Sequence, residues 1–128
     1  MTRKARCSCG SLSAACEGEP ERVSVCHCLA CQRRTGSAFG SAAFFRREAV
    51  TVSGESRTWA RRGEDGPGAV FHHCPTCGST VFWEPLFRPG FLAVAVGAFA
   101  DPTFPPPSKQ VYGETRHPWL VVSGAKDE

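Results

Sequence analysis

Seven of the eight cysteines of this 128-residue chain fall into three tight groups: Cys7-Ser8-Cys9, then Cys26-His27-Cys28-Leu29-Ala30-Cys31, then Cys74-Pro75-Thr76-Cys77. Thiolates at such spacings are metal ligands, and a structural zinc ion takes four protein ligands in a tetrahedron. Seven ligands therefore divide into a closed site of four and an incomplete site of three. The incomplete site is the place for chemistry, because a zinc ion short of one protein ligand can take a water or a substrate atom.

Spacing also suggests how the groups combine. Cys26, Cys28 and Cys31 lie within six residues, so their sulfurs can share one ion but are hard to divide between two. Cys7 and Cys9 must then complete the pair Cys74 and Cys77, which flank a turn begun by Pro75 and followed by Gly78. On a strand Cys7 and Cys9 project from one face, as do Cys26 and Cys28. The fourth position of the three-cysteine site has several candidates: Cys16, His27, His72, His73, His117, a carboxylate, water or a substrate atom. An open position filled by water or substrate is preferred. On a continuous first strand Cys16 shares a face with Leu12 and Ala14 and is a core residue, while His27 alternates away from Cys28 and is a hydrogen-bond donor behind the metal or a pocket wall. His72 or His73 must point inward, and His117 precedes Pro118 and Trp119 in a loop.

The elements that must position these groups are short. Thirteen glycines, ten prolines and runs of branched and aromatic residues predict a mainly β chain with many turns. Strands are expected at Arg6–Glu17, Arg22–Cys26, Ser41–Arg46, Val50–Ser53, Thr58–Arg62, Ala69–His73, Thr80–Glu84, Phe91–Val96 and Lys109–Gly113. One short helix is expected at Leu29–Thr35, stopped by Gly36, with Arg33 and Arg34 where cations suit its dipole. Asp101-Pro102 and Phe104-Pro105-Pro106-Pro107 read as a stiff extended connector, and Gly124–Glu128 as a frayed tail. Trp59, Trp83 and Trp119 read as packing anchors, and Phe44 as core. Length bounds the chain to a single domain over 1–128, with its core at about 4–122.

Composition excludes several classes. The formal charge of +3 is spread over the pairs Arg33-Arg34, Arg46-Arg47 and Arg61-Arg62 with no basic block, so nucleic-acid binding is not expected. No apolar stretch follows the basic residues at the start, and no window reaches a membrane span of about 18 apolar residues, so a cytoplasmic location is expected and no membrane association. A disulfide framework would need an oxidising compartment that nothing in the sequence indicates. A redox role for Cys28 and Cys31 lacks the surrounding pattern of a thioredoxin-like motif.

The sequence resembles the glutathione-dependent formaldehyde-activating family, also called the Gfa-like or centromere-protein-V-like domain. The likeness rests on Cys7-Ser8-Cys9-Gly10, Cys26-His27-Cys28-Leu29-Ala30-Cys31-Gln32-Arg33 with Gly36, Phe71-His72-His73-Cys74-Pro75-Thr76-Cys77-Gly78-Ser79, Val96-Gly97-Ala98-Phe99-Ala100-Asp101-Pro102 and Pro118-Trp119. It implies an Mss4-like fold of small antiparallel sheets stapled by zinc, with a structural site at Cys7, Cys9, Cys74 and Cys77 and a catalytic one at Cys26, Cys28 and Cys31. It also implies a carbon-sulfur lyase that joins an aldehyde such as formaldehyde to a thiol such as glutathione, as in S-(hydroxymethyl)glutathione synthase. Gln32, Arg33 and Arg34 are the nearest candidates to meet the carboxylates of such a thiol, with a solvated helix face as the alternative, and Ser37, Phe39 and Phe44 could line a cleft. The competing function is a non-catalytic module whose two zinc sites are both closed, serving a protein or nucleic-acid partner. The oligomeric state is not legible from the sequence.

Overall fold

The computed structural model describes residues 1–63 and 66–128. Among these residues, eleven strands, one α-helix and three 3-10 turns follow one another as β1 (Thr2–Arg6), β2 (Ser13–Glu17), β3 (Arg22–Cys26), α1 (Leu29–Thr35), β4 (Gly40–Arg46), β5 (Val50–Ser53), β6 (Arg57–Arg61), β7 (Ala69–His73), β8 (Thr80–Pro85), β9 (Phe91–Ala95), β10 (Lys109–Val111) and β11 (Lys126–Asp127), with the turns at Arg47–Ala49, Val96–Phe99 and Gly113–Thr115. A three-stranded sheet has the order β1-β2-β5, and an eight-stranded sheet the order β11-β10-β3-β4-β9-β8-β7-β6. The mainly β expectation holds, and α1 has the predicted bounds.

Strand periodicity explains why two sheets suffice. Along β4, Ala43 and Phe45 point to one face and Ala42 and Phe44 to the other, and β9 divides Leu92 and Val94 from Ala93 in the same way. The first face meets Ala5, Ala14 and Cys16 of the small sheet and Leu12 of the turn before β2, which makes the main core. Phe45, Leu12 and Leu92 are essentially sealed there; full burial of such side chains is worth about 1.5–3 kcal/mol each. A register shift between His72 and His73 turns both Val81 and Phe82 toward this core. The opposite face carries a second cluster, Ala42, Phe44, Ala69, Phe71, Trp83 and Ala93. Here α1 sits, and no second sheet of the described residues covers it.

Several expectations are corrected. The strand expected over Arg6–Glu17 is two strands, because Cys7–Gly10 turns the chain: the Gly10 N–H reaches the Cys7 carbonyl (3.1 Å) and the Cys7 N–H the Leu12 carbonyl (2.9 Å). Cys7 and Cys9 therefore converge through a turn and not through strand alternation. Cys16 is nevertheless core, fully buried and with its thiol pushed up to about 12 by burial. The tail is not frayed: β11 pairs in parallel with β10, itself parallel to β3, and Glu128 bonds to Arg22. The connector begins with a turn from Asp101 to Phe104, whose ring is buried and stacked on Phe99. Trp83 is buried as expected, whereas Trp59 and Trp119 are 54% and 70% exposed.

One glycine is required by the backbone of the second face. Gly68 has φ +83°, and a Cβ there would stand 1.8 Å from the carbonyl oxygen of Arg61. Gly68→Ala is expected to cost about 2 kcal/mol or more by combining left-handed strain with this collision. A thermal melt within about one degree of the parent would contradict it.

Candidate metal centres and cleft

The two cysteine groups converge as two clusters. In the first, Cys7, Cys9, Cys74 and Cys77 bring their sulfurs within 4.8 Å of one another. Cys7 and Cys9 come from the β1–β2 turn, Cys74 and Cys77 from the β7–β8 turn, in which the Cys74 N–H bonds to the Ser79 carbonyl (2.9 Å) and the Gly78 N–H to the Cys74 carbonyl (2.9 Å). The backbone N–H groups of Thr76 and Cys77 both donate to the Cys74 sulfur at 3.4 and 3.5 Å, and that of Leu12 to the Cys7 sulfur at 3.3 Å. Such donors favour the charged form of sulfur. The Ser11 hydroxyl and the Cys77 backbone lower Cys74 to about 7, and Ser79 lowers Cys77 to about 5.

Zn–S bonds of about 2.3 Å in a tetrahedron place sulfurs about 3.8 Å apart. Sulfurs of Cys7 and Cys9 lie 3.7 Å apart, and those of Cys9 and Cys74 3.6 Å. These two separations match a tetrahedral ion, and all four sulfurs lie close enough to share one. Cys7 and Cys74 are buried in the main core, so the cluster ties the small sheet to the large one.

The second cluster is Cys26, Cys28 and Cys31, also within 4.8 Å of one another. Cys26 ends β3, Cys28 is the N-cap of α1 and Cys31 lies in its first turn. The cap is made by sulfur: the Cys31 N–H donates to the Cys28 Sγ at 3.3 Å. Gly36 closes the helix at φ 72° with its N–H on the Gln32 carbonyl, as the sequence predicts. Hydrogen bonds from Cys26 and Cys28, aided by the charges of Arg34 and Arg61, hold Cys31 well below the ordinary thiol range. Proximity to Cys28 and Cys31, with burial, pushes Cys26 far up. Three crowded sulfurs thus share protons, and a cation bound to all three would displace them.

No fourth protein ligand joins this cluster among the described residues. Cys16 is in the core. His27 is fully buried, its Nε2 2.8 Å from the Gln110 Oε1, an oxygen by virtue of the Gln110 Nε2 donating to the Ala125 carbonyl. His72 is bonded to Ser56 and Glu84 and stacked on Phe82. His117 bonds to the Gln32 Oε1 at 2.8 Å.

The three-cysteine cluster opens into a cleft of about 730 Å³ on the uncovered face of the large sheet. Its floor is the second apolar cluster, with Phe44, Phe71 and Trp83 lining it. Phe44 is therefore both packed and cleft-lining, while Ser37 lines a separate depression of about 460 Å³ with Gln32, Arg33, His117 and Trp119. Phe39 is half-buried and lines neither. Among the described residues, Arg22, Arg34, Arg61, Arg62, Arg88 and Lys109 line the main cleft with two carboxylates, Glu21 and Glu128. No histidine is among its described lining residues.

Of the helix residues expected near a ligand, Arg33 is exposed and Gln32 is structural, its Nε2 donating to the carbonyls of His27 and Thr115. Arg34 corrects the solvated-face alternative. It turns inward, with its guanidinium carbon 4.7 Å from the centre of Phe71 and 4.6 Å from that of Trp83. Gly40, paired with Cys26 across β3 and β4, escaped sequence reasoning. A Cβ there would meet the Arg34 NH2 and the Cys31 Cβ at 3.2 Å each, so the bare backbone lets α1 settle on the sheet. Its only signal was a glycine at a strand start. Gly40→Val is expected to displace Cys31 and Arg34 together and to weaken metal retention at the second cluster roughly tenfold. Metal competition against a chromophoric chelator measures this, and unchanged retention would contradict it.

A model for a family described as glutathione-dependent formaldehyde-activating enzyme matches residues 2–115. A crystal structure of a protein from Rhodobacter sphaeroides is similar in fold, with a TM-score of 0.56, 24% identity, and coverage of 74% of this chain and 85% of that one. No curated protein matches the chain. No helix of the described residues is long and apolar enough to cross a membrane.

Proposed function

Because the chain belongs to the glutathione-dependent formaldehyde-activating family, we propose that it joins a small aldehyde such as formaldehyde to a thiol such as glutathione, forming a carbon–sulfur bond in the cleft beside Cys26, Cys28 and Cys31. The observation that carries this is a three-sulfur cluster, with no fourth protein ligand among the described residues, opening into a cleft whose described lining carries more cations than carboxylates. Reversal of the same reaction is a carbon–sulfur lyase step. Two zinc ions are the proposed cofactors, one structural at Cys7, Cys9, Cys74 and Cys77 and one catalytic at the three-cysteine cluster, since all-sulfur donor sets suit zinc. An Mss4-like architecture and a cytoplasmic setting belong to the same proposal.

The site's parts have separable tasks. Bound zinc would hold an incoming thiol in its deprotonated form at neutral pH. Cys28 and Cys31 are oriented by the first turn of α1, and Cys26 by the end of β3. Arg22, Arg61, Arg62, Arg88 and Lys109 supply positive charge for a thiol that carries two carboxylates, and Phe44, Phe71 and Trp83 give its apolar parts a dry floor. An uncharged thiol loses the first of these. Glutathione is therefore expected to react with a KM at least about tenfold below that of 2-mercaptoethanol, the gap narrowing as salt screens the cleft.

The test is exchange NMR of formaldehyde, glutathione and their adduct at equilibrium. Catalytic amounts of zinc-loaded protein should accelerate interconversion without moving the equilibrium. Exchange at the uncatalysed rate would reject the reaction.

A further inference from the structure

We propose that Arg34 is the electrophilic residue of the reaction: its guanidinium donates a hydrogen bond to the aldehyde oxygen as the carbon–sulfur bond forms. This inference rests on the reading that the site joins a thiol to an aldehyde. As sulfur attacks the carbonyl carbon, the π pair of the C=O bond moves to oxygen, and the resulting alkoxide takes a proton from water, replacing the one the thiol released to solvent. Charge develops on oxygen before that proton arrives, and a donor fixed in place there lowers the barrier. An ion already ligated by three thiolates is a weak electrophile, and no histidine is among the described residues lining the cleft.

Arg34 meets the requirements of such a donor. It lies three residues beyond Cys31 on α1, so both project from one side of the helix. Its NH2 and the Cys31 sulfur approach the same point above Gly40, at 3.2 and 3.5 Å from where a Cβ would stand. The guanidinium lies over the adjacent rings of Phe71 and Trp83, which limits the rotamer freedom that a surface arginine keeps. No carboxylate among the described residues pairs with it. Its Nε–H is buried without an acceptor among the described residues. Arg34 also lines the cleft, so it is the outer end of the guanidinium, beside the Cys31 sulfur, that an arriving oxygen would meet. Arg61 adds to the field: its guanidinium carbon is 5.0 Å from the centre of Phe71, and its NH1 is buried with no hydrogen-bond partner among the described residues.

Arg34→Met keeps an unbranched stem over the two rings and removes the donor, and Arg34→Lys keeps a charge and a donor. With metal content matched to the parent, Arg34→Met is expected to lose roughly 10²–10³ in kcat, as for removal of one oxyanion donor, while the KM for glutathione changes less than about threefold. Arg34→Lys should recover part of the loss. Formate, a planar one-carbon anion, gives a readout apart from turnover: calorimetry should show it binding to the zinc-loaded, glutathione-saturated parent and not to Arg34→Met. Turnover by Arg34→Met within about threefold of the parent, or formate binding equal to the parent's, overturns the proposal. A loss confined to the KM for glutathione also overturns it, since Arg34 would then hold a carboxylate of the thiol. Absence of turnover in the parent itself counts against the reaction, and formate binding then decides whether Arg34 serves an anion at all.

Discussion

Cys74→Ala is expected to leave the chain without a cooperative fold. Cys74 is fully buried, its sulfur receives two backbone N–H groups of its own turn, and it stands 3.6 Å from the Cys9 sulfur of the opposite sheet. Ion binding at four such thiolates supplies folding free energy directly, about 10–16 kcal/mol in small zinc domains at neutral pH. A domain's whole stability is about 5–15 kcal/mol. Removing one ligand forfeits much of the former, and opens a hole in the main core to which Cys74 belongs. The check is a thermal melt followed by near-ultraviolet circular dichroism on the zinc-loaded variant. A cooperative transition within a few degrees of the parent would remove the structural role from this cluster.

Cys28→Ser should do the reverse, sparing the fold and ending the chemistry. Cys28 is half-buried at the edge of the cleft and belongs to neither apolar cluster. Its one structural task is to cap α1, and serine, among the best N-cap residues, takes that over; alanine would instead cost about 0.5–2 kcal/mol. The serine variant thus separates metal binding from helix capping. It is expected to melt within about 4 °C of the parent, to carry one metal ion fewer per chain, and to lose at least about 10³ in turnover. A variant that keeps both its second ion and its activity would show that the three-cysteine cluster is not the reacting centre.

Much of this site can be read from residue types, because its ligands are close in sequence. Cys26, Cys28 and Cys31 had to meet one another whatever the fold, and Leu29–Thr35 followed by Gly36 carries its own stop signal in a left-handed C-cap at φ 72°. β3, β5 and β7 likewise show their bounds in runs of branched residues between turn formers. What escaped was set by long-range packing. Cys7 and Cys9 looked like alternating strand positions, yet the chain must turn there to return Ser13–Glu17 beside Thr2–Arg6. Lys126–Asp127 has no strand signal of its own and is held by the exposed edge of β10.

Arg34 illustrates the limit most clearly. An arginine late in a short helix reads as a solvated cation serving the dipole. Its actual place depends on Phe71 and Trp83, paired across β7 and β8 far along the chain, and on the missing side chain at Gly40. The cleft was illegible for the same reason. It exists because the small sheet covers one face of the large sheet, leaving the aromatic floor of the other face under guanidinium groups drawn from separate elements.

The central claim is that the three-cysteine cluster holds an ion with a position open to thiol. Zinc content per chain, combined with X-ray absorption at the zinc edge before and after addition of millimolar glutathione, tests it most directly. Two ions per chain, with an average sulfur coordination that rises when glutathione is added, is the predicted result. Two ions whose spectrum is indifferent to glutathione would mean that both sites are closed, and would contradict the account.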